Sequence, residues 1–295
     1  MMEIQREKFE WMVKPTPQRE WIEGRGLFLW LAFFFGIGAG LYLVSLYFDS
    51  LWGMFVGWLI IIFCKGGAHI AFLGRPLRAW RAWRKPGSSW IARGIIFVIV
   101  FFVAGAIQLA LTYWQPDTAA EIAFKVIAGI VAFMIAIYTG FALSYVRAVP
   151  FWNSSLLPVL FVQCAILGGA GLALAIGLAG DTKIIVGDLE WGIRGLLTSV
   201  AFMLLVYLWS IGYGSRGSIE AVVNLLRGPK VFSLPFWVGL ILIGIVVPLV
   251  IAWYSAVNEV ATAWLFLGIA CEIIGGLSLR YSILRGGLYA TLIPI

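Results

Sequence analysis

Residues Ile95–Trp114 read IIFVIVFFVAGAIQLALTYW, 20 positions without a charge. A helix needs roughly 20 apolar residues to cross the hydrocarbon core of a bilayer. Outward from this stretch the same texture recurs until eight runs fill the chain, at 26–48, 51–73, 89–114, 121–146, 155–180, 193–213, 232–254 and 261–284. None alternates with the period of two that an outer-membrane barrel strand requires, which excludes that architecture. With 62% hydrophobic and 12% charged residues, the chain lies far from soluble composition, where about a quarter of residues are charged. The connections are short, so no soluble domain is expected between spans. The expectation is an all-α membrane protein whose eight transmembrane helices form two four-helix bundles, 26–150 and 151–295, joined at Pro150–Pro158, "PFWNSSLLP". Residues 1–25 precede them, with Phe9, Trp11, Met12 and Trp21 set among charges. This arm lacks the compact apolar core of a cleavable signal peptide and reads as an amphipathic segment on the membrane surface or against a peripheral subunit.

The net charge of +7 is informative by location. The amino-terminal side of the membrane collects Arg6, Lys8, Lys14, Arg19, Arg25, Arg75, Arg78, Arg81, Arg84, Lys85, Arg93, Arg147, Arg216, Arg227, Lys230, Arg280 and Arg285, which is 17 of the 21 cations. The far side receives only Lys125, Lys183 and Arg194, and Lys65 falls within a span. Cations over short loops mark the cytoplasmic side, so both termini are expected in the cytoplasm and the protein in the cell membrane. The other reading of these arginines is service to an acidic protein partner.

Several chemistries are disfavoured. The single histidine, His69, cannot supply the paired axial ligands of a membrane cytochrome b, so no haem is expected. Cys64, Cys164 and Cys271 lie in apolar runs without metal-ligand spacing and read as small buried packing residues, so no metal is expected either. No phosphate-binding loop, dinucleotide fingerprint or nucleophile elbow is present. One connection is elaborate: "GRPLRAWRAWRKPGSS", Gly74–Ser89, with Arg75, Arg78, Arg81 and Arg84 around Trp80 and Trp83. It suits interfacial anchoring in lipid or docking of an acidic partner. It is too short between two spans for nucleic acid.

Ionisable groups inside spans are costly and therefore point to sites. Lys65 and His69, four residues apart, share one face of the second span, about 6 Å apart along its axis. A snorkelling lysine beside a helix-end histidine is the plain reading, and a site that hydrogen-bonds and protonates a small apolar molecule is the functional one. Tyr138, in the second half of the fourth span, runs toward the same side. Glu272 stands mid-way along the eighth span, and Gln108 and Gln163 are further polar interruptions. Glu272 with Gln108 could form a proton path, but one mid-membrane acid favours a passive hydrogen-bonded role, because a relay usually needs several groups. Gly168, Gly169, Gly171, Gly275 and Gly276 read as close-packing positions.

Three stretches resemble the NrfD/PsrC family: His69–Gly94, "HIAFLGRPLRAWRAWRKPGSSWIARG"; Tyr138–Asn153, "YTGFALSYVRAVPFWN"; and the carboxy-terminal "GGLSLRYSILRGGL". The resemblance implies a haem-free membrane subunit that binds quinone, menaquinone rather than ubiquinone. It also implies docking on an iron–sulfur subunit that connects the quinone to a catalytic subunit of molybdopterin type. Tyr138 matches the tyrosine that hydrogen-bonds a quinone carbonyl, and the loop from Arg75 to Trp90 matches the face near the iron–sulfur subunit. The sequence departs from the family where a member carries histidine and asparagine early in the first span. Here Arg25, Phe28, Trp30 and Leu31 stand in that region, so Lys65 and His69 are the expected replacements. That member is also predicted to keep its amino-terminal side outside, whereas the charge bias here implies a cytoplasmic redox partner, as in the family's sulfite-oxidising complexes. Alternatives are an ion- or proton-translocating subunit without redox work of its own, which the same intramembrane polar groups would serve, and a pure membrane anchor.

Overall fold

The structure, a computed structural model, describes residues 12, 14–81 and 84–292. Eight helices in it are long and apolar enough to cross a membrane: Gly26–Tyr47, Leu51–Phe72, Trp90–Trp114, Ala119–Ser144, Leu156–Leu178, Val186–Gly212, Lys230–Tyr254 and Thr262–Gly286. They are called the first to eighth spans below. The expected bounds differ from these by a few residues, except that the sixth span begins at Val186 rather than at 193. Charges had marked its first turns as loop. Glu190 and Arg194 neutralise one another across one helical turn at 2.9 Å, so the helix continues through them.

The first four spans neighbour each other as a ring, and so do the last four. The two rings share a seam where the first span crosses the fifth. A Cβ at Gly40 would land on the backbone of Ala165, and one at Gly169 on the backbone of Leu41, so glycine sets this approach. One large core runs through both halves, from Leu29 and Leu143 to Leu204 and Ile283. A smaller one fills the first ring around Tyr42, Met54, Phe101 and Ile135.

Three local features were not foreseen. A helix at Arg216–Arg227 links the sixth and seventh spans, burying Ala221 and Leu225 while Arg216 and Arg227 stay exposed. It is too short and too charged to read as a span. The second span widens into π-type turns over Ile60–Lys65, and the seventh does so over Pro235–Val246. The first span breaks at Phe35–Gly36, between Gly26–Phe34 and Ile37–Tyr47.

The amino-terminal arm falls partly outside the described residues, at 1–11 and 13. Within its described part, Thr16–Pro17 is extended and pairs antiparallel with Leu288–Tyr289. Gln18 then donates from Nε2 to the Leu284 carbonyl at 2.5 Å, and Trp21 lies against Trp152 with ring centroids 5.2 Å apart. Prolines remove the amide donors a helix would need there. Cys164 and Cys271 are buried as expected, but Cys64 is exposed, on the outward face of the second span.

Candidate functional site

Tyr138, His69 and Lys65 meet. The Tyr138 hydroxyl lies 2.9 Å from His69 Nε2. His69 Nδ1 lies 2.9 Å from the Lys65 carbonyl, one turn back on its own helix. A carbonyl oxygen only accepts, so Nδ1 carries a proton and, in the neutral ring, Nε2 accepts from the tyrosine. Lys65 is fully buried, and its Nζ stands 5.1 Å from the Tyr138 ring centroid. His69 keeps partial exposure while Tyr138 is buried, so the cluster is open along one edge.

The local backbone explains the convergence. Lys65 closes the wide turn Ile60–Lys65; such π-type insertions rotate the residues beyond them and recur at functional sites. Where the first span breaks, the Gly36 amide bonds the Phe33 carbonyl at 3.4 Å, which leaves the Ala32 carbonyl without its helical partner. Lys65 Nζ fills that vacancy at 2.7 Å. The first span thus contributes a backbone oxygen to the cluster instead of a side chain. Gly94 makes room for the tyrosine, since a Cβ there would stand 2.8 Å from the ring carbon that carries the hydroxyl. Trp90 stacks on Phe141, one turn beyond Tyr138, at 4.4 Å between centroids.

One residue of this region escaped the sequence reading. Arg280, counted above among the surface cations, is 1% exposed and lies inside the protein. Its Nε donates to the Phe33 carbonyl at 3.0 Å and its guanidinium rests between the Phe34 and Phe161 rings. Two buried cations, Lys65 and Arg280, therefore hold successive carbonyls of one broken turn. Among the described residues neither forms an ion pair; the pairs lie at Lys125–Asp49, Lys125–Glu121, Arg194–Glu190, Arg216–Glu220 and Arg285–Glu23. Buried uncompensated positive charge is expensive, and it favours an electron-rich group beside it.

The basic loop begins at Gly74, five residues after His69. Pro76–Arg81 forms a short helical turn, and the Arg81 and Arg84 guanidinium groups flank the Trp80 ring at 5.3 and 5.0 Å. Arg75, Arg78 and Trp80 are exposed; Trp83 lies outside the described residues. Arg93 ties the end of the loop by donating to the Pro86 and Gly87 carbonyls at 2.7 and 2.9 Å. The basic loop thus follows the helix end that carries His69, on the same side of the protein.

The other polar candidates lie elsewhere. Gln108 belongs to a series of hydrogen bonds that runs to the far face. Tyr42 donates to Gln108 at 2.6 Å, Gln108 to Thr112 at 2.8 Å, and Thr112 to Glu121 at 2.7 Å. Lys125 then bridges Glu121 and Asp49 at 2.9 and 2.7 Å. Gln163 donates to Ser199 at 2.9 Å. Glu272 is 8% exposed, and its Oε2 has no hydrogen-bond partner among the described residues.

The three stretches singled out in the sequence adjoin in space. Beyond Gly94 on Tyr138, Trp152 donates to the Ile283 carbonyl at 2.6 Å and packs over Gly287. Residues 26–291 match the family described as Polysulphide reductase, NrfD. Protein NrfD of Escherichia coli K12 is 28% identical over 163 residues, covering 54% of this sequence and 50% of that protein. The C subunit of the polysulfide reductase of Wolinella succinogenes is 30% identical over 168 residues, 54% of this sequence and 52% of that one. An NrfD homolog of Haemophilus influenzae is 29% identical over 174 residues, with 55% and 52% covered. The matched segments thus span about half the length of these curated relatives.

Proposed function

The chain belongs to the NrfD polysulphide reductase family, and on that premise we propose that it is the quinone-reactive membrane subunit of a multisubunit oxidoreductase. Quinone or quinol, expected to be menaquinone, binds at Tyr138, His69 and Lys65. Electrons pass between it and an iron–sulfur subunit docked on Arg75, Arg78, Arg81, Arg84 and Trp80, and beyond that subunit to a catalytic one of molybdopterin type. The observation that carries this reading is the Tyr138–His69 hydrogen bond, beside buried Lys65 and at the end of the span from which the basic loop continues.

The chemistry follows from the donors and acceptors. Converting a quinone to a quinol takes up two electrons and two protons. In the neutral arrangement a quinol hydroxyl can donate to the Tyr138 oxygen while Tyr138 passes its own proton to His69 Nε2. With His69 protonated, the same pair runs in reverse and the tyrosine donates to a quinone carbonyl. Arg280 supplies fixed positive charge behind the site, and Lys65 a buried amine donor, where the head group becomes electron-rich. The partly exposed edge at His69 is where a head group with an apolar tail would enter from lipid.

The cation bias supports a cytoplasmic amino-terminal side, and with it a cytoplasmic partner, in the cell membrane. Tyr138→Phe keeps the ring and removes one donor, at a cost of about 1–3 kcal/mol when an acceptor is left unpaired. Quinone-linked turnover of the assembled complex should fall while reduction of an artificial dye by the catalytic subunit persists. Equal loss of both activities, or of neither, would contradict the site. Reversing Arg75 and Arg78 to glutamate should release the partner at lower salt than the parent requires. Retention at full occupancy would reduce the loop to a lipid anchor.

A further inference from the structure

Glu272 lies ten residues into the Thr262–Gly286 helix, about 15 Å along its axis and so near mid-membrane. Two clefts meet at it. One is lined by Glu190, Arg194, Pro248, Ser255 and Gly268 and leads to the far face. There Arg194 donates to the Ala252 carbonyl, Glu190 and Ser255 at 2.6, 2.9 and 3.1 Å. The other cleft is lined by Phe34, Cys164, Gly168, Gly275, Gly276 and Leu279 and leads toward the amino-terminal side. Arg280 stands behind two of these lining residues, donating to the Gly276 carbonyl at 2.9 Å and covering the Phe34 ring. Arg280 in turn shares the broken turn of the first span with Lys65, behind Tyr138.

The carboxylate itself is unfastened. Its Oε2 is buried without a hydrogen-bond partner among the described residues, and it rests against bare backbone, since a Cβ at Gly171 would come within 2.7 Å of it. An acid fixed for packing alone would gain from a donor, and a mid-membrane acid without one carries a large penalty. The first cleft, with Glu190, Arg194 and Ser255 toward one end and Glu272 at the other, offers the polar partners that water needs inside a protein.

We propose that Glu272 is the loading point of a proton path from the far face to the quinone site. Protons enter past Glu190 and Arg194, reside on Glu272, and leave through the second cleft toward Arg280, Lys65 and the Tyr138–His69 pair. The fixed charge of Arg280 repels a proton at the inner end until electrons reach the head group and offset it, which ties passage to electron transfer. Each quinone reduced takes two electrons from the iron–sulfur partner and two protons from the path; quinol oxidation runs the same path outward. The proposal rests on the quinone site above but occupies different residues.

The test uses the complex with its partner subunits, reconstituted in liposomes with a pH dye in the lumen that borders the far face and an impermeant electron donor outside. Glu272→Gln keeps the shape but cannot exchange a proton. It should abolish the luminal pH change and slow quinone turnover about a hundredfold, the low end of what losing a proton-transfer group costs. Gly171→Ala, which presses on the carboxylate without removing it, should give a partial loss of both. An unchanged luminal response in Glu272→Gln overturns the path, whatever Tyr138→Phe does. Loss of that response together with normal turnover in Tyr138→Phe overturns the quinone site and leaves the path standing. Should Glu272→Gln fail to assemble, an apolar carbodiimide on the wild-type complex decides: modification of Glu272 supports an exchanging acid, and none overturns it.

Discussion

The two rings of spans hold their buried acids in opposite styles, one in the first turn of a span and one near mid-membrane. In the first, Tyr42, Gln108, Thr112 and Glu121 form an unbroken hydrogen-bonded series whose donors all point toward one acid, which Lys125 then covers. In the second, Glu272 has clefts on both sides and accepts no hydrogen bond among the described residues, whereas Glu121, whose Oε2 is likewise unpartnered, is held through Oε1 by Thr112 and Lys125. Both place a carboxylate inside an apolar helix, yet only the first fastens it. A hydrogen-bonded network of this kind restrains the packing of its helices. An unfastened acid between clefts can turn and exchange its proton. The difference separates a structural use of polarity from a functional one more clearly than depth or residue type does.

The largest effect expected is at the cluster beside the first network. His69→Ala removes the acceptor that Tyr138 serves, and quinone turnover should fall about a hundredfold or more, as for loss of a general base. Gln108→Leu should leave turnover intact but lower the thermal midpoint in detergent. It strands the Tyr42 hydroxyl and the Thr112 partner, a loss of about 1–3 kcal/mol. If Gln108→Leu slowed turnover as much as His69→Ala, the fastened series would itself conduct protons and the contrast would break. The smallest stability effect belongs to Glu272→Leu. No hydrogen bond is lost there, and replacing an unpaired buried polar group by an apolar one is often neutral or stabilising, so the midpoint should stay or rise. A large drop would mean that Glu272 is fastened after all.

Much of this was legible in the sequence, for physical reasons that also mark its limits. Spans announce themselves because the bilayer demands about 20 apolar residues, and Lys65, His69 and Tyr138 stood out because polar groups there are costly. That Lys65 and His69 share a face followed from their spacing of four. The wide turn at Ile60–Lys65 and the break at Phe35–Gly36 have no such signature, because they depend on the packing of one span against another. Arg280 was misplaced because an arginine one turn and a half from a helix end reads as a snorkelling surface cation; its interior partners, the Phe33 and Gly276 carbonyls, leave no mark in the sequence. Glu121 shows the same limit. An acid at a helix start looks like a cap, yet it is 1% exposed and takes the end of the Tyr42 series.

The claim that the quinone binds in the first ring, between the second and fourth spans, can be met directly. A photoactivatable quinone analogue, crosslinked to the assembled complex and mapped by mass spectrometry, should mark peptides from Leu51–Phe72 and Ala119–Ser144, with modification at or beside His69 and Tyr138. Excess natural quinone should suppress that labelling. Specific, suppressible labelling confined to the fifth through eighth spans would contradict the account.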